Sequence, residues 1–283
     1  ENNTTADSNN AFGRRALYAN TTGAQNSAFG YLALYQNTTA SYNTAIGTSS
    51  MQNNTTGANN TALGYTALDA CTTGPANTAV GKGSGGVITT GADNVCVGSE
   101  AGDNLTTGSQ NIMLGNSTSL SAAGGTNQSC LGINVTCVGN GNFTFGDGTV
   151  DSNIANGATS ITAPSDVRLK EDIQDEEVGL DFINDLRPVT FQWKKEKDVP
   201  SDMRAHVADS EERVMNGKYN HGFIAQEVKE VIDNHDLKDG FDMWTEDETD
   251  GRQRIGEASL MPLMVKAVQE LSAKVEELED KLN

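Results

Sequence analysis

Glycine recurs at a fixed interval through the first half of the chain, and this period constrains the fold more than any other feature. Eight glycines are spaced 17 residues apart: Gly13, Gly30, Gly47, Gly64, Gly81, Gly98, Gly115 and Gly132. A large apolar residue precedes each glycine, and an Asn lies four positions before seven of the eight. The position two before each glycine holds a slim residue: Ala11, Ala28, Ala45, Ala62, Ala79, Cys96, Met113 and Cys130. Such regularity predicts a repeat architecture.

The period also indicates the kind of repeat. A coil of 17 residues has room for about two short strands and two turns, which predicts a parallel β-solenoid over residues 1–132. Gly and Asn suit its tight turns, as does a recurring Thr-Thr-Gly. We expect about two or three inward apolar side chains per coil, too few for a stable single-chain core, so the solenoid should associate as a homotrimer. The glycine spacing shortens after Gly132, and residues 133–164 are predicted to be a cap and linker.

Charge and cysteine content exclude several classes of function. The net charge is −19, and acidic residues concentrate after Ser165. Nucleic-acid binding is not expected without a basic patch. No apolar run of about 18 residues is present, so membrane insertion is not expected either. The cysteines form no CxxC pair or Cys/His cluster, so we expect no metal or other cofactor. Cys96 and Cys130 take the slim position of their coils and are predicted to be packed free thiols rather than disulfides.

After Ser165 the sequence has the pattern of a mixed α+β domain. The spacing of apolar residues predicts a helix over 176–186 and a strand over 189–193. Residues 220–228 predict a short strand or turn leading into a helix that ends near Ile232, and the charged stretch 197–218 predicts a loop. A heptad seam follows: Met261, Met264, Val268, Leu271, Val275, Leu278 and Leu282. It predicts a coiled coil over 260–283. The alternative is an amphipathic helix that folds back onto its own domain.

Two stretches resemble known families. The repeats over roughly 9–132, exemplified by 57–68, are similar to the head repeats of trimeric autotransporter adhesins and to repeats in phage tail fibres. Three later segments, SDVRLKEDI (165–173), INDLRPVTFQW (183–193) and HGFIAQEV (221–228), with the closing heptad helix, resemble the C-terminal intramolecular chaperone of phage tail spikes and fibres. The expected fold is a trimeric β-solenoid followed by an α+β chaperone domain, 165–283, that ends in a trimeric coiled coil.

The chaperone family is also a self-cleaving peptidase family, and the resemblance implies a site. Ser165 would be the nucleophile, Lys170 the base and Pro164–Ser165 the scissile bond. Asp166, Arg168, Glu171 and His221 match the motif stretches and are possible supporting residues. The implied enzyme is a single-turnover serine peptidase without activity on other substrates.

The leading interpretation is a phage tail fibre or tail spike. It would assemble in the host cytoplasm, reside in the virion and contact a host receptor, either a glycan or an outer-surface protein. A bacterial trimeric surface adhesin with a chaperone-type C-terminus is the alternative. A glycan-degrading spike is disfavoured because acidic residues in 1–150 are sparse and unpaired. A membrane-bound transcription factor with the same module is disfavoured because the chain has no apolar span and no basic region.

Overall fold

The computed structural model describes residues 5–158, 160–237, 243–246 and 251–282. The chain divides into two compact units, 1–170 and 171–283. The predicted domain limits, 1–132, 133–164 and 165–283, stay a prediction. None of the helices in the described ranges is both long and apolar enough to cross a bilayer.

The first unit is a β-solenoid, as the repeat predicts. Its described strands form one sheet in chain order. Strands β1 to β8 are Asn10–Phe12, Ser27–Phe29, Thr44–Ile46, Thr61–Leu63, Thr78–Val80, Val95–Val97, Ile112–Leu114 and Ser129–Gly132. They pair in parallel with a register of one period, so that Ala11 lies opposite Ala28. Strand β9, Asn142–Gly146, continues the stack, and β10, Ser152–Ala155, closes it by pairing antiparallel to β9.

Each coil contains one strand rather than the two expected. The backbone turns directly after the strand, because Gly30 has a φ of 149° and Leu32 and Leu34 follow in the left-handed region with φ values of 59° and 49°. Extended structure requires negative φ, so a second strand does not form there. The glycine position is also crowded: a Cβ on Gly47 would lie 2.3 Å from the Gly64 carbonyl oxygen. Close stacking of coils therefore requires glycine at this position.

The solenoid core contains Asn side chains as well as small apolar residues. The slim position is buried, as at Ala28, while the large apolar residue after it, as at Phe29, is exposed. Asn43 illustrates one ladder: its backbone N–H donates to Oδ1 of Asn26 at 3.0 Å, and its own Oδ1 accepts from the backbone N–H of Asn60 at 2.9 Å. These bonds satisfy buried amides that a thin apolar core alone would leave unpaired.

A second Asn ladder stops partway along the solenoid. Asn37 Nδ2 donates to Asn20 Oδ1 at 2.8 Å, and Asn54 Nδ2 donates to Asn37 Oδ1 at 3.0 Å. The next coil has Cys71 at this position, whose thiol donates to the Gly74 carbonyl. Oδ1 of Asn54 is consequently buried without a hydrogen-bond partner.

The prediction of free thiols is wrong for Cys130. Cys130 forms a disulfide with Cys137, with their Cα atoms 5.7 Å apart, whereas Cys71 and Cys96 are free and buried. The disulfide forms where the repeat becomes shorter, after Gly132. The backbone N–H of Cys137 donates to the Ser119 carbonyl at 2.9 Å, which places Cys137 inside the coil beside Cys130.

The second unit is a small α+β fold. Its helices are α1, Leu180–Asp185, α2, Ala225–Asn234, and α3, Leu260–Leu282. Two antiparallel two-stranded sheets pair β11, Val189–Phe191, with β12, Asn220–Gly222, and β13, Trp244–Glu246, with β14, Gln253–Ile255. Short 3₁₀ turns are Glu196–Asp198 and Glu257–Ser259. The core is formed by Phe182, Leu186, Val228, Ile232, Met243, Leu260 and Leu263.

Helix α1 starts later than the apolar pattern predicts, at Leu180 instead of Glu176. Gly179 precedes it with a φ of −146° and a ψ of −111°, which are not helical angles, and the first helical N–H, that of Leu180, donates to the Glu270 carboxylate at 2.9 Å. A carboxylate at the N-terminus of a helix satisfies a backbone donor that has no partner within the helix. Its negative charge also interacts favourably with the positive end of the helix dipole. The predicted α2 and the loop after β11 agree with the structure.

Helix α3 has two distinct apolar faces. Leu260, Leu263 and Ala267 are buried in the unit. The heptad positions stay exposed in the single chain, and they are Met261, Met264, Val268, Leu271, Val275, Leu278 and Leu282. The amphipathic-helix alternative therefore accounts for the buried face only, and the exposed face is consistent with a coiled coil.

Candidate active site

The turn that carries Ser165 and Lys170 brings the two side chains together. A short 3₁₀ helix, Val167–Leu169, lies between them, and Asp166 caps its start by accepting from the backbone N–H of Arg168 at 2.9 Å. The chain reverses within this turn. Lys170 Nζ therefore lies 2.8 Å from Ser165 Oγ, within hydrogen-bond distance.

Asp166 and Arg168 form an ion pair with each other. The guanidinium Nε of Arg168 lies 3.0 Å from Asp166 Oδ1. Hydrogen bonds from Arg168 lower the pKa of the Asp166 carboxyl, and the same contact raises the pKa of Arg168. Both groups are then charged at neutral pH and hold the turn. This arrangement favours a structural role for them, while a catalytic role stays a prediction.

Both members of the Ser–Lys pair are exposed, as is Pro164. The bond between Pro164 and Ser165 is thus accessible. A lysine acts as a base only in its neutral form, which burial favours and water disfavours. In the described structure both side chains of the pair are exposed to water.

Glu171 and His221 belong to the second unit, and their roles at Ser165 stay predictions. His221 lies in β12 opposite Thr190 of β11 and is exposed. It also borders an open groove of about 760 Å³, lined by Pro188, Val189, Thr190, His221, Gly222, Phe223, Ala258, Leu260, Met261 and Met264.

Sequence reasoning missed two polar contacts that support the second unit. Arg187 Nε donates to Glu227 Oε2 at 2.9 Å, which links two of the motif stretches, and Glu270 caps α1. The charged side chains were visible in the sequence, but Arg187 and Glu227 are 40 residues apart, and Glu270 is 90 residues from the backbone N–H of Leu180 that it accepts from. Local spacing therefore gave no signal for either contact.

Comparison with protein families gives a match that starts at the candidate nucleophile. Residues 165–237 match the family model of Peptidase_S74, the chaperone of endosialidase. The match includes Ser165, Lys170 and all three motif stretches. Neither the comparison with curated proteins nor that with solved structures found a match.

A Peptidase_S74 segment that follows a β-solenoid fits a C-terminal chaperone domain placed after repeats. At a coarse level, the match implies a chaperone that assembles with copies of itself and cleaves its own chain. It also suggests a protein of the tail-spike or tail-fibre kind.

Proposed function

We propose that this chain is part of a phage tail fibre or tail spike whose C-terminal chaperone assembles three copies and then releases itself by cutting between Pro164 and Ser165. The observation that carries the proposal is the Peptidase_S74 match beginning at Ser165, with Lys170 Nζ 2.8 Å from its Oγ. The fibre would be assembled in the host cytoplasm and act in the virion.

The exposed heptad face of α3 supports self-association. Leu271, Val275 and Leu278 lie on it in solvent. Burying apolar side chains of this size stabilises an assembly by about 1.5–3 kcal/mol each. A helix from each of three chains would cover the face by knobs-into-holes packing.

The solenoid gives a reason for a separate assembly domain. Its coils present nearly identical contacts, so three chains out of register by one period would lose little contact energy. A C-terminal domain that trimerises first holds the solenoid segments at high effective concentration and in a common register. Once it is removed, unfolding can no longer be reversed through the template, so the lifetime of the folded fibre is set by its rate of unfolding.

The chemistry follows from the position of Ser165 on the amine side of the scissile bond. In one route, its Oγ attacks the Pro164 carbonyl carbon and its proton passes to Lys170. The C–N bond then breaks, the Ser165 amine takes that proton, and residue 164 becomes an ester on Oγ. Water hydrolyses the ester to leave the Pro164 carboxylate and a new N-terminal Ser165. In the second route, Lys170 activates water, which attacks the same carbonyl and gives the same products.

Exposure of the Ser–Lys pair in one chain supports coupling between assembly and cleavage. If neighbouring chains shield Lys170 from water, its neutral form becomes favoured and the base is available. The uncut monomer would then be inactive, and release would follow folding.

The decisive experiment is mass spectrometry of the expressed chain under denaturing conditions. We expect a fragment that ends at Pro164 and one that begins at Ser165, and the first should have a trimeric mass under native conditions. Hydroxylamine separates the two routes, because it traps an ester as a hydroxamate on Pro164. An intact chain in assembled trimers would contradict self-cleavage, and a cut elsewhere would contradict the assigned bond.

A further inference from the structure

The first coils carry a surface patch that the repeat does not require. Arg14 lies over the ring of Tyr31, with its guanidinium carbon 5.8 Å from the ring centroid, and Arg15 lies 6.0 Å from that of Tyr18. Tyr18 stacks on Tyr35 with centroids 5.5 Å apart. These five residues, the arginine–tyrosine patch, lie on adjacent coils because each residue stacks on the one a period later.

Other coils show that the solenoid folds without these side chains. Thr48 and Ser49 occupy the positions of Arg14 and Arg15 in a later coil, and Gln52 occupies that of Tyr18 and Tyr35. Tyr18 and Tyr31 are 44% and 42% exposed. Packing within the chain therefore does not account for the patch.

The two arginines are also unusual because positively charged side chains are rare before Ser165. The cations before Ser165 are Arg14, Arg15 and Lys82. Lys82 pairs with Glu100 at 3.2 Å, whereas neither arginine forms an ion pair with any residue that the structure describes. When a guanidinium lies over an aromatic ring, the N–H groups around its edge remain available to donate hydrogen bonds to a ligand.

We propose that the arginine–tyrosine patch binds an acidic saccharide, a sugar ring that carries a carboxylate. The guanidinium fork matches a carboxylate with two parallel hydrogen bonds. The uncovered parts of the Tyr18 and Tyr31 rings offer apolar surface for the C–H face of a sugar, with hydroxyls at the edge. This inference refines the host receptor contact that the sequence leads us to expect, and it rests on the proposed function as a fibre or spike.

A nucleic acid fits the patch less well. Its backbone carries one phosphate charge per about 1.7 Å of duplex, and binding depends on many cations. The chain has a net charge of −19, and the patch contains two arginines. Isolated carboxylates on a saccharide match two cations better than a dense polyphosphate does.

The test compares polygalacturonate with the same polymer after reduction of its carboxyl groups, using the full chain and biolayer interferometry at low salt. The variant Arg14→Thr/Arg15→Ser takes its residues from the later coil, so its fold should be kept. Lys82→Ser is the matched control, because Ser99 occupies the same position one coil later. We expect the wild-type chain to bind the acidic polymer, the double variant to bind about tenfold or more weakly, and the control to bind normally.

Four results would overturn the inference: no binding of polygalacturonate, equal binding of the reduced polymer, unchanged binding by the double variant, or equal binding of single-stranded DNA. Cleavage at Ser165 and trimer mass are measured on the same preparations. If they are intact while binding fails, the saccharide site is wrong and the assembly function stands. If the double variant loses its trimer, the patch is instead a contact between chains.

Discussion

Lys170 donates a hydrogen bond of 2.8 Å to Ser165 while both side chains remain exposed to solvent. The distance suits the proposed nucleophile and base, and a base of this kind is more effective when it is shielded from water. Under the proposed function, cleavage would therefore wait for assembly of the chains.

Ser165→Ala and Lys170→Met should each abolish cleavage and leave a full-length trimer. The first removes the attacking oxygen, and the second removes the base with little change in side-chain length. Denaturing electrophoresis and intact mass report the outcome. Ser160→Ala and Lys218→Met, at exposed positions, should cleave normally. Two fragments from Ser165→Ala would rule out Ser165 as the nucleophile.

Leu271→Glu should convert the trimer to monomer, because it places a charge in the heptad seam where apolar side chains would pack. Ser272→Glu adds the same charge one residue outside the seam and should leave the trimer intact. Light scattering coupled to gel filtration measures both masses. We also expect Leu271→Glu to remain uncleaved. Efficient cleavage of a monomer would show that neighbouring chains do not complete the site.

Asn37→Leu should destabilise the solenoid by about 3 kcal/mol, because it leaves buried partners of Asn37 unsatisfied on both sides of the ladder. Leu105 already occupies the equivalent position, so the volume is acceptable. The control, Ile88→Leu, changes shape at another equivalent position and should cost less than about 1.5 kcal/mol. Denaturant unfolding followed by circular dichroism measures both. Equal losses would mean that the ladder contributes no more than packing.

Gly47→Ala should prevent correct folding of the solenoid, since the added Cβ would lie 2.3 Å from a backbone oxygen of the next coil. Its φ of 134° is also unfavourable for alanine. Gly217→Ala, with no atom within 4 Å of the added Cβ, is the matched control and should fold normally. The yield of protease-resistant trimer distinguishes the two. A fully stable Gly47→Ala trimer would contradict the coil spacing described.

Cys71 and Cys96 should resist thiol reagents near neutral pH until the solenoid unfolds. Burial raises the pKa of Cys71 from 9.0 to about 11 and that of Cys96 to about 12. The folded state therefore holds these protons more tightly. Its stabilisation is complete below the unfolded value and is lost as pH rises through the folded values.

Denaturant unfolding midpoints at neutral pH and at pH near 11 test whether stability falls as the pH rises. The variant Cys71→Ala/Cys96→Ala should lose less stability over that interval than the wild-type chain does. Rapid labelling of both thiols in the native protein at neutral pH would contradict their burial.

The sequence predicted those parts of the fold that depend on local pattern. The glycine period placed the coils and the slim inward residue, and heptad spacing placed α3. The single strand per coil was missed because left-handed φ at residues such as Leu32 and Leu34 has no clear signature in side-chain type. The Cys130–Cys137 disulfide was missed because it depends on how the shortened coil returns.

In the candidate site and the second unit, too, local contacts were predicted and distant contacts were not. A separation of five residues across a capped turn brings Lys170 to Ser165, and this local contact was inferred from the motif. The support that Glu270 gives to α1 comes from 90 residues away and is set by tertiary packing. Any role of Glu171 or His221 at Ser165 depends on contacts between distant parts of the sequence, and neither composition nor local spacing predicts such contacts.

The fixed register of the coils means that the length of the solenoid can change in whole steps. Neighbouring strands in a sheet are about 4.8 Å apart, so gain or loss of one complete coil alters the length by that increment. Each remaining coil still meets a neighbour with the same Asn and Gly contacts. An insertion of one residue, in contrast, shifts both ladders out of alignment. In-frame duplication of whole coils would therefore let related solenoids diverge in length while the segment beginning at Ser165 is inherited unchanged.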